Sequence, residues 1–180
     1  MKDMLIWVDE NDHIIGYGEK MDTHVIAQLH RAFSLFIYDP ERKEFLIQKR
    51  AYGKYHSGGK WSNACCSHPR VGEETIEAVI NRLPEELGFS VNKEELIYCG
   101  HFIYMADFGD LSEHELDHVF LLKKEKEAVP MDVFNPEEVD SLQWIAIDQL
   151  EEWMNREPDS FSAWFAKAYH LIKKVIKNSA

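Results

Sequence analysis

The hydrophobic pattern of this chain changes period along its length, and the order of the changes limits the folds open to it. In AFSLFIYDPERKEFLIQKR, Phe33, Leu35 and Ile37 alternate with Ala32, Ser34 and Phe36, and a polar turn through Asp39 and Pro40 leads into FLIQKR. That is the pattern of a β-hairpin. Over residues 74–87 the period becomes helical, with Ile76, Val79, Ile80, Leu83 and Leu87 on one face and Glu74, Glu77, Asn81 and Glu85 opposite; Gly88 supplies a stop. Strand-like runs return in LIYCGHFIYMA, HELDHVFLLKK and SLQWIAI, with the turn-rich PMDVFNPEEVD before the last. FSAWFAKAYHLIKKVI then reads as an amphipathic helix whose apolar stripe runs from Phe161 and Trp164 to Ile176 and covers the sheet. Hairpins interrupted by helices predict an α+β fold, a mixed-sheet sandwich flanked by helices, rather than strictly alternating parallel units.

At 180 residues and 45% hydrophobic, the chain suffices for one core and is short for two, so residues 1–180 are expected to form a single domain. The opening MKDMLIWVDENDH has acids where a secretion signal has an apolar stretch, and no segment approaches the ~20 apolar residues of a membrane span. A soluble, cytoplasmic protein without a membrane partner is expected. A net charge of −12 argues against a nucleic-acid partner.

That charge is uneven. Residues 45–72 hold no Asp or Glu, although acids make up 32 of 180 residues, and the same window carries Lys49, Arg50, Lys54, Lys60 and Arg70 with glycines between. Such a segment suits a bound anion, or is ordinary solvated loop. Within it, WSNACCSHP places Cys65, Cys66 and His68 close together. Three cysteines make no even framework, and a disulfide between neighbours would be strained. If SNACCSH is extended, Cys66 and His68 share one face and Cys65 points the other way. The same arithmetic puts Glu113 and Glu115 on one face with His114 opposite, while His24 and His30 frame THVIAQLH. Three imidazoles and two carboxylates would suit Mn²⁺, Mg²⁺ or Zn²⁺, although each histidine taken alone reads more readily as a surface or core residue than as a ligand. In the helix, Glu86 falls at the edge of the apolar arc and Glu85 points outward. Pro84 should kink this helix or remove a hydrogen bond.

Together, LHRAFSLFIYD, YHSGGKWSNACCSHPR, EETIEAVINRLPEELGF, SEHELDH and SAWF resemble a type 1 isopentenyl-diphosphate isomerase of the Nudix fold, from about Glu19 to Trp164. The resemblance implies metal ligands at His24, His30, His68, Glu113 and Glu115, holding Mn²⁺ or Mg²⁺, or Zn²⁺, and a Mg²⁺ carried by Glu86 with the substrate diphosphate. It implies diphosphate contacts from Lys20, Arg50, Lys54 and Arg82. It further implies catalysis by Cys66 and Glu115 with the hydroxyl of Tyr104, and, of the two candidate indoles Trp61 and Trp164, it favours Trp164 as the one facing the substrate tail. Cys65 remains a small core residue. The implied partner is a prenyl diphosphate, the implied activity feeds isoprenoid biosynthesis, and a monomer is expected.

Such a reaction adds a proton to an alkene and removes one from a neighbouring carbon, so it needs a donor, an acceptor, aromatic density beside the cation and exclusion of water. Glu115 as donor and a Cys66 thiolate as acceptor, favoured by nearby positive charge, would supply the proton groups. Two other functions stay open: a Nudix-type diphosphate hydrolase and a non-catalytic metal-binding module. Against the hydrolase, the glycine, arginine and glutamate expected in its signature are held here by Ser67, Asn81 and Arg82, leaving Glu73, Glu85 and Glu86.

Overall fold

The computed structural model describes residues 4–178. The hairpin expected from the alternation is its centre: β3 (His30–Asp39) turns into β4 (Glu44–Arg50). Ahead of them lie β1 (Met4–Val8), β2 (Ile14–Glu19) and a short α1 (Lys20–Val25); after them come β5 (Trp61–Ser62) and β6 (Cys65–Ser67). The helical period becomes α2 (Thr75–Leu87), followed by β7 (Leu96–Asp107), β8 (Ser112–Lys123), β9 (Val139–Ala146), α3 (Ile147–Arg156) and α4 (Phe165–Asn178).

Among the described residues, nine strands join one mixed sheet. β3 runs antiparallel to β4 and β6 and parallel to β8 along nearly its whole length, while β7 and β9 extend the sheet antiparallel beyond β8 and β4. Alternation along β3 sends Phe33, Leu35 and Ile37 to a core closed by Ala78, Val79, Leu83 and Leu87 of α2. Phe36 and Tyr38 go to the opposite core, closed by Phe165, Ala168, Tyr169 and Ile172 of α4. The sheet is therefore buried on both faces, which is why β3 reads as almost continuously apolar.

Four local features depart from or extend the sequence pattern. The C-terminal helix starts at Phe165, because Phe161 forms a bridge to Trp61 and Ser162 N–H donates to the Trp61 carbonyl. Residues 161–164 are thereby tied to β5 and cannot wind. Neither the β1–β2 hairpin nor α1 and α3 was assigned by the hydrophobic pattern above. Pro84 is exposed and α2 runs through it, with the backbone donor it lacks falling on the outer face of the helix. Gly88 ends α2 with φ 76°, and a side chain there would meet Val133 at 2.8 Å, so the stop needs glycine for both reasons. Among the described residues no helix is long and apolar enough to cross a membrane.

Candidate active site

The site lies on the α4 side of the sheet, and strand register assembles it. Cys66 is the cross-strand partner of Ser34, His30 of Glu115, and Tyr104 of Glu115 on the other edge of β8, so these side chains rise from one face. Cys65, one residue away, points into the α2 core and is fully buried. A bulge at Lys49/Arg50 interrupts the β4–β9 register. Leu46 faces the α2 core, and without that shift Arg50 would follow it; instead Arg50 Nη1 reaches Cys66 Sγ at 3.4 Å and its guanidinium sits 5.1 Å from the Trp164 ring.

The pocket is open to solvent on one side and offers about 540 Å³ of space, part of it bulk water. On its wall stand Lys20, Arg50, Lys54, Cys66, His68, Arg82, Glu113, Glu115 and Trp164, nine of the positions singled out from sequence. His24, His30 and Tyr104 lie behind that wall, and Glu86 reaches it through the Arg82 guanidinium, at 3.0 Å. Trp61 packs instead against Trp153 in the α4 core, so Trp164 is the indole that meets the pocket. Its Nε1 donates to Asn63 Oδ1 at 2.9 Å, which fixes the ring.

His24, His30, His68, Glu113 and Glu115 each offer a ligand atom within 4.8 Å of the others. The two imidazoles from α1 and β3 are oriented by the backbone: His24 Nδ1 faces the Lys20 carbonyl at 2.5 Å, and His30 Nδ1 faces that of Gln28 at 2.8 Å. With protons on those nitrogens, both Nε2 atoms carry lone pairs inward. His24 Nε2 then confronts Glu113 Oε1 at 3.1 Å, and that buried carboxylate oxygen has no hydrogen bond of acceptable geometry. His68 Nε2 lies 2.8 Å from Glu115 Oε1 and 3.3 Å from His30 Nε2. Converging lone pairs in a dry place repel unless a cation lies among them, so the donor set fits a divalent ion.

Electrostatics separate the proton-carrying groups. Burial pushes the Cys66 thiol up to about 12 despite the Arg50 guanidinium beside it, so the expected thiolate is not the resting form. Burial also pushes the Glu115 carboxyl upward, but hydrogen bonds from its neighbours, His30 and Tyr104 among them, hold it below the usual range. Tyr104 Oη donates to Glu115 Oε2 at 2.6 Å and is 3.2 Å from Glu113 Oε2. Burial and the two carboxylates keep this phenol protonated.

Two site residues carry no role in the sequence analysis. His56 Nε2 lies 2.6 Å from Glu113 Oε1, with its ring stacked on Phe108 and edge-on to Trp164; its place in the glycine-containing acid-free window was the available signal. Glu138 joins Lys54 and Arg82 from 84 and 56 residues away in the chain, and nothing local marks it. His114 turns out of the site to the Ala27 carbonyl, and His118 pairs with Asp12.

Residues 28–165 match the NUDIX domain family model. The chain is 44% identical over 168 residues to "Isopentenyl-diphosphate Delta-isomerase" of Serratia proteamaculans, covering 92% of this chain and 88% of the relative. The enzyme of the same name from Aliivibrio fischeri is 42% identical over 180 residues, with 98% and 96% covered. The chain belongs to the Nudix family, among its isopentenyl-diphosphate isomerases. Its fold is also that of DR0079 from Deinococcus radiodurans, with a TM-score of 0.71 at 20% identity over 94% of this chain and 98% of that one.

Within this Nudix member the signature helix is rewired. Arg82 Nε, Nη1 and Nη2 go to Glu86, Glu85 and Glu138 at 3.0, 2.8 and 2.9 Å, and Asn81 Nδ2 donates to Glu73 at 2.6 Å. A guanidinium thus occupies the middle of the helix's acidic residues, where a hydrolase would carry another carboxylate. Among the described residues the only grouping of three or more metal-ligating side chains is the His/Glu set on the opposite face of the sheet.

Proposed function

We propose that this chain interconverts isopentenyl diphosphate and dimethylallyl diphosphate. The observation that carries the reading is one pocket that joins His68, Glu113 and Glu115 of the His/Glu set, a half-buried thiol, an indole and four cationic side chains. Lys20, Arg50, Lys54 and Arg82 form the diphosphate arm, and Trp164, backed by the Tyr104 ring with centroids 6.2 Å apart, forms the wall for the five-carbon tail. Mn²⁺ or Mg²⁺, or Zn²⁺, would be held by His24, His30, His68, Glu113 and Glu115, and a Mg²⁺ by Glu86 with the diphosphate. Bound there, such ions would supply positive charge toward the diphosphate and toward the Glu115 carboxylate.

The isomerisation is proton-balanced: one proton is added at C4 of the alkene and one is lost from C2, with no net change in redox state. Cys66 and Glu115 hold one proton between them for this purpose. Burial favours the proton on sulfur and the hydrogen bonds at Glu115 favour its ionised carboxylate, the form opposite to a Glu115 donor with a Cys66 acceptor. Because the reaction is reversible, each turnover exchanges the two forms, and either group donates in one direction and accepts in the other. Tyr104 steadies the ionised carboxylate through its hydroxyl. The buried Trp164 ring stabilises the tertiary cation through its face.

Incubation with isopentenyl diphosphate and Mg²⁺ in deuterated water tests the reading. Dimethylallyl diphosphate carrying deuterium, without released phosphate, is the expected outcome. Phosphate or pyrophosphate release in place of an isomer would mean a hydrolase, the reading that the rewired helix speaks against.

A further inference from the structure

Glu138 immediately precedes β9 and has no part in the chemistry above. Its carboxylate, about one-fifth exposed, reaches two cations at once: Lys54 Nζ bonds Oε2, and Arg82 Nη2 lies 2.9 Å from Oε1. Among the described residues it is the acid paired with Lys54. The surrounding backbone is cross-linked. Glu138 N–H donates to the Asn135 carbonyl at 3.0 Å, Ala51 N–H donates to the Glu138 carbonyl at 3.1 Å, and Asn135 N–H donates to the Glu86 carbonyl at 2.8 Å. These bonds tie the start of β9 both to the loop that carries Lys54 and to the helix that carries Arg82, leaving the carboxylate as the part free to move.

A carboxylate between two cations has the geometry of a phosphoryl group between the same two cations, since both offer a pair of oxygens to an ammonium and a guanidinium fork. We propose that Glu138 is a latch: in the substrate-free chain it fills one phosphoryl position between Lys54 and Arg82, and the incoming diphosphate displaces it. The proposal rests on the isomerase reading of the pocket. While the latch is closed, only the open fraction of molecules binds an anion, so the apparent affinity for every anion is reduced by that fraction. A small ambient anion gains little beyond what the carboxylate already gave the two cations. A diphosphate that also meets Lys20 and Arg50 gains two further charged contacts and opens the latch. On product release the carboxylate returns and competes for the cations.

The test is calorimetric titration of metal-replete wild type, Glu138→Gln and Glu138→Asp with inorganic pyrophosphate, beside steady-state kinetics on isopentenyl diphosphate. Gln keeps the size and removes the charge; Asp keeps the charge on an arm one methylene shorter, which cannot span both cations. Glu138→Gln is expected to bind pyrophosphate about tenfold more tightly and to lower KM without raising kcat, with Glu138→Asp in between. Should the Gln variant not fold, as judged by its melt, the Asp variant decides. Equal or weaker pyrophosphate binding in the variants, with isomerase activity intact in wild type, overturns the latch and leaves the isomerase reading standing. A wild type that neither binds pyrophosphate nor isomerises the substrate overturns both.

Discussion

Cys65→Ala and Cys66→Ala differ by one residue and should have opposite effects, because strand pairing sends the two thiols to different sides of the sheet. Cys66 lies opposite Ser34 and lines the pocket, whereas Cys65 lies opposite Leu35 and is fully buried in the α2 core. Removing Cys66 deletes one of two proton-transfer groups. General acid–base groups contribute roughly 10²–10⁴ in rate, which at about 1.4 kcal/mol per factor of ten is about 3–5 kcal/mol of barrier. The kcat of Cys66→Ala should fall by that factor while its melting transition and metal content stay near wild type, since one small pocket atom is lost. Cys65→Ala leaves a small void among Phe33, Leu35 and Leu83 and should cost on the order of 1 kcal/mol of stability, with most activity kept. The assay is kcat for both variants at matched metal loading, beside urea unfolding at neutral pH. If Cys65→Ala is the inactive protein, the β3–β6 register is wrong by one residue and the placement of His68 falls with it. If Cys66→Ala keeps a tenth or more of wild-type kcat, the thiol is not one of the proton-transfer groups.

Exhaustive chelation should abolish turnover and lower the melting temperature, and adding back Mn²⁺ or Mg²⁺ should restore both; an ion at 100 times its Kd stabilises by about 2.7 kcal/mol. A melt insensitive to chelation, with metal removal verified by elemental analysis, would contradict the His/Glu assignment. Arg50→Lys should lower kcat/KM by about ten- to a hundredfold, because a single ammonium cannot at once approach Cys66, sit over the Trp164 ring and offer a two-pronged contact to the diphosphate as the guanidinium does; unchanged kcat/KM would place the diphosphate elsewhere. His118 sits among Asp12, Arg31, Tyr98 and His101, and burial holds its imidazole below the ordinary 6.5 while Asp12 opposes. The unfolded chain therefore takes up that proton first as pH falls. His118's stabilising share is complete above about pH 6.5 and is lost as pH drops from there toward the lower folded value. Urea midpoints at pH 7.5 and 5.5 should differ less for His118→Gln than for wild type, and an equal difference would mean that the group does not titrate in this window.

The sequence by itself determined whatever depends on near neighbours in the chain. A 3.6-residue period built α2 and turned Glu86 inward and Glu85 outward, leaving them buried and exposed respectively. A period of two set the faces of Glu113, Glu115, Cys65 and Cys66, because alternation belongs to the extended backbone and needs no knowledge of the partner strand. The absence of acids over residues 45–72 anticipated Arg50 and Lys54 on the pocket wall for the same reason: local charge is a local property. What only the tertiary structure decided involves residues far apart. The bulge that re-aims Arg50 arises from its pairing with β9, nearly ninety positions on, and the start of α4 is set by a bond from Ser162 to Trp61. His56 finds Glu113, and Glu138 finds Lys54 and Arg82, only when the sheet has closed. The upward shift of the Cys66 thiol belongs to the same group: the sequence shows only that the surrounding segment is basic, and burial, which outweighs the Arg50 cation, is a sum over everything packed around the site.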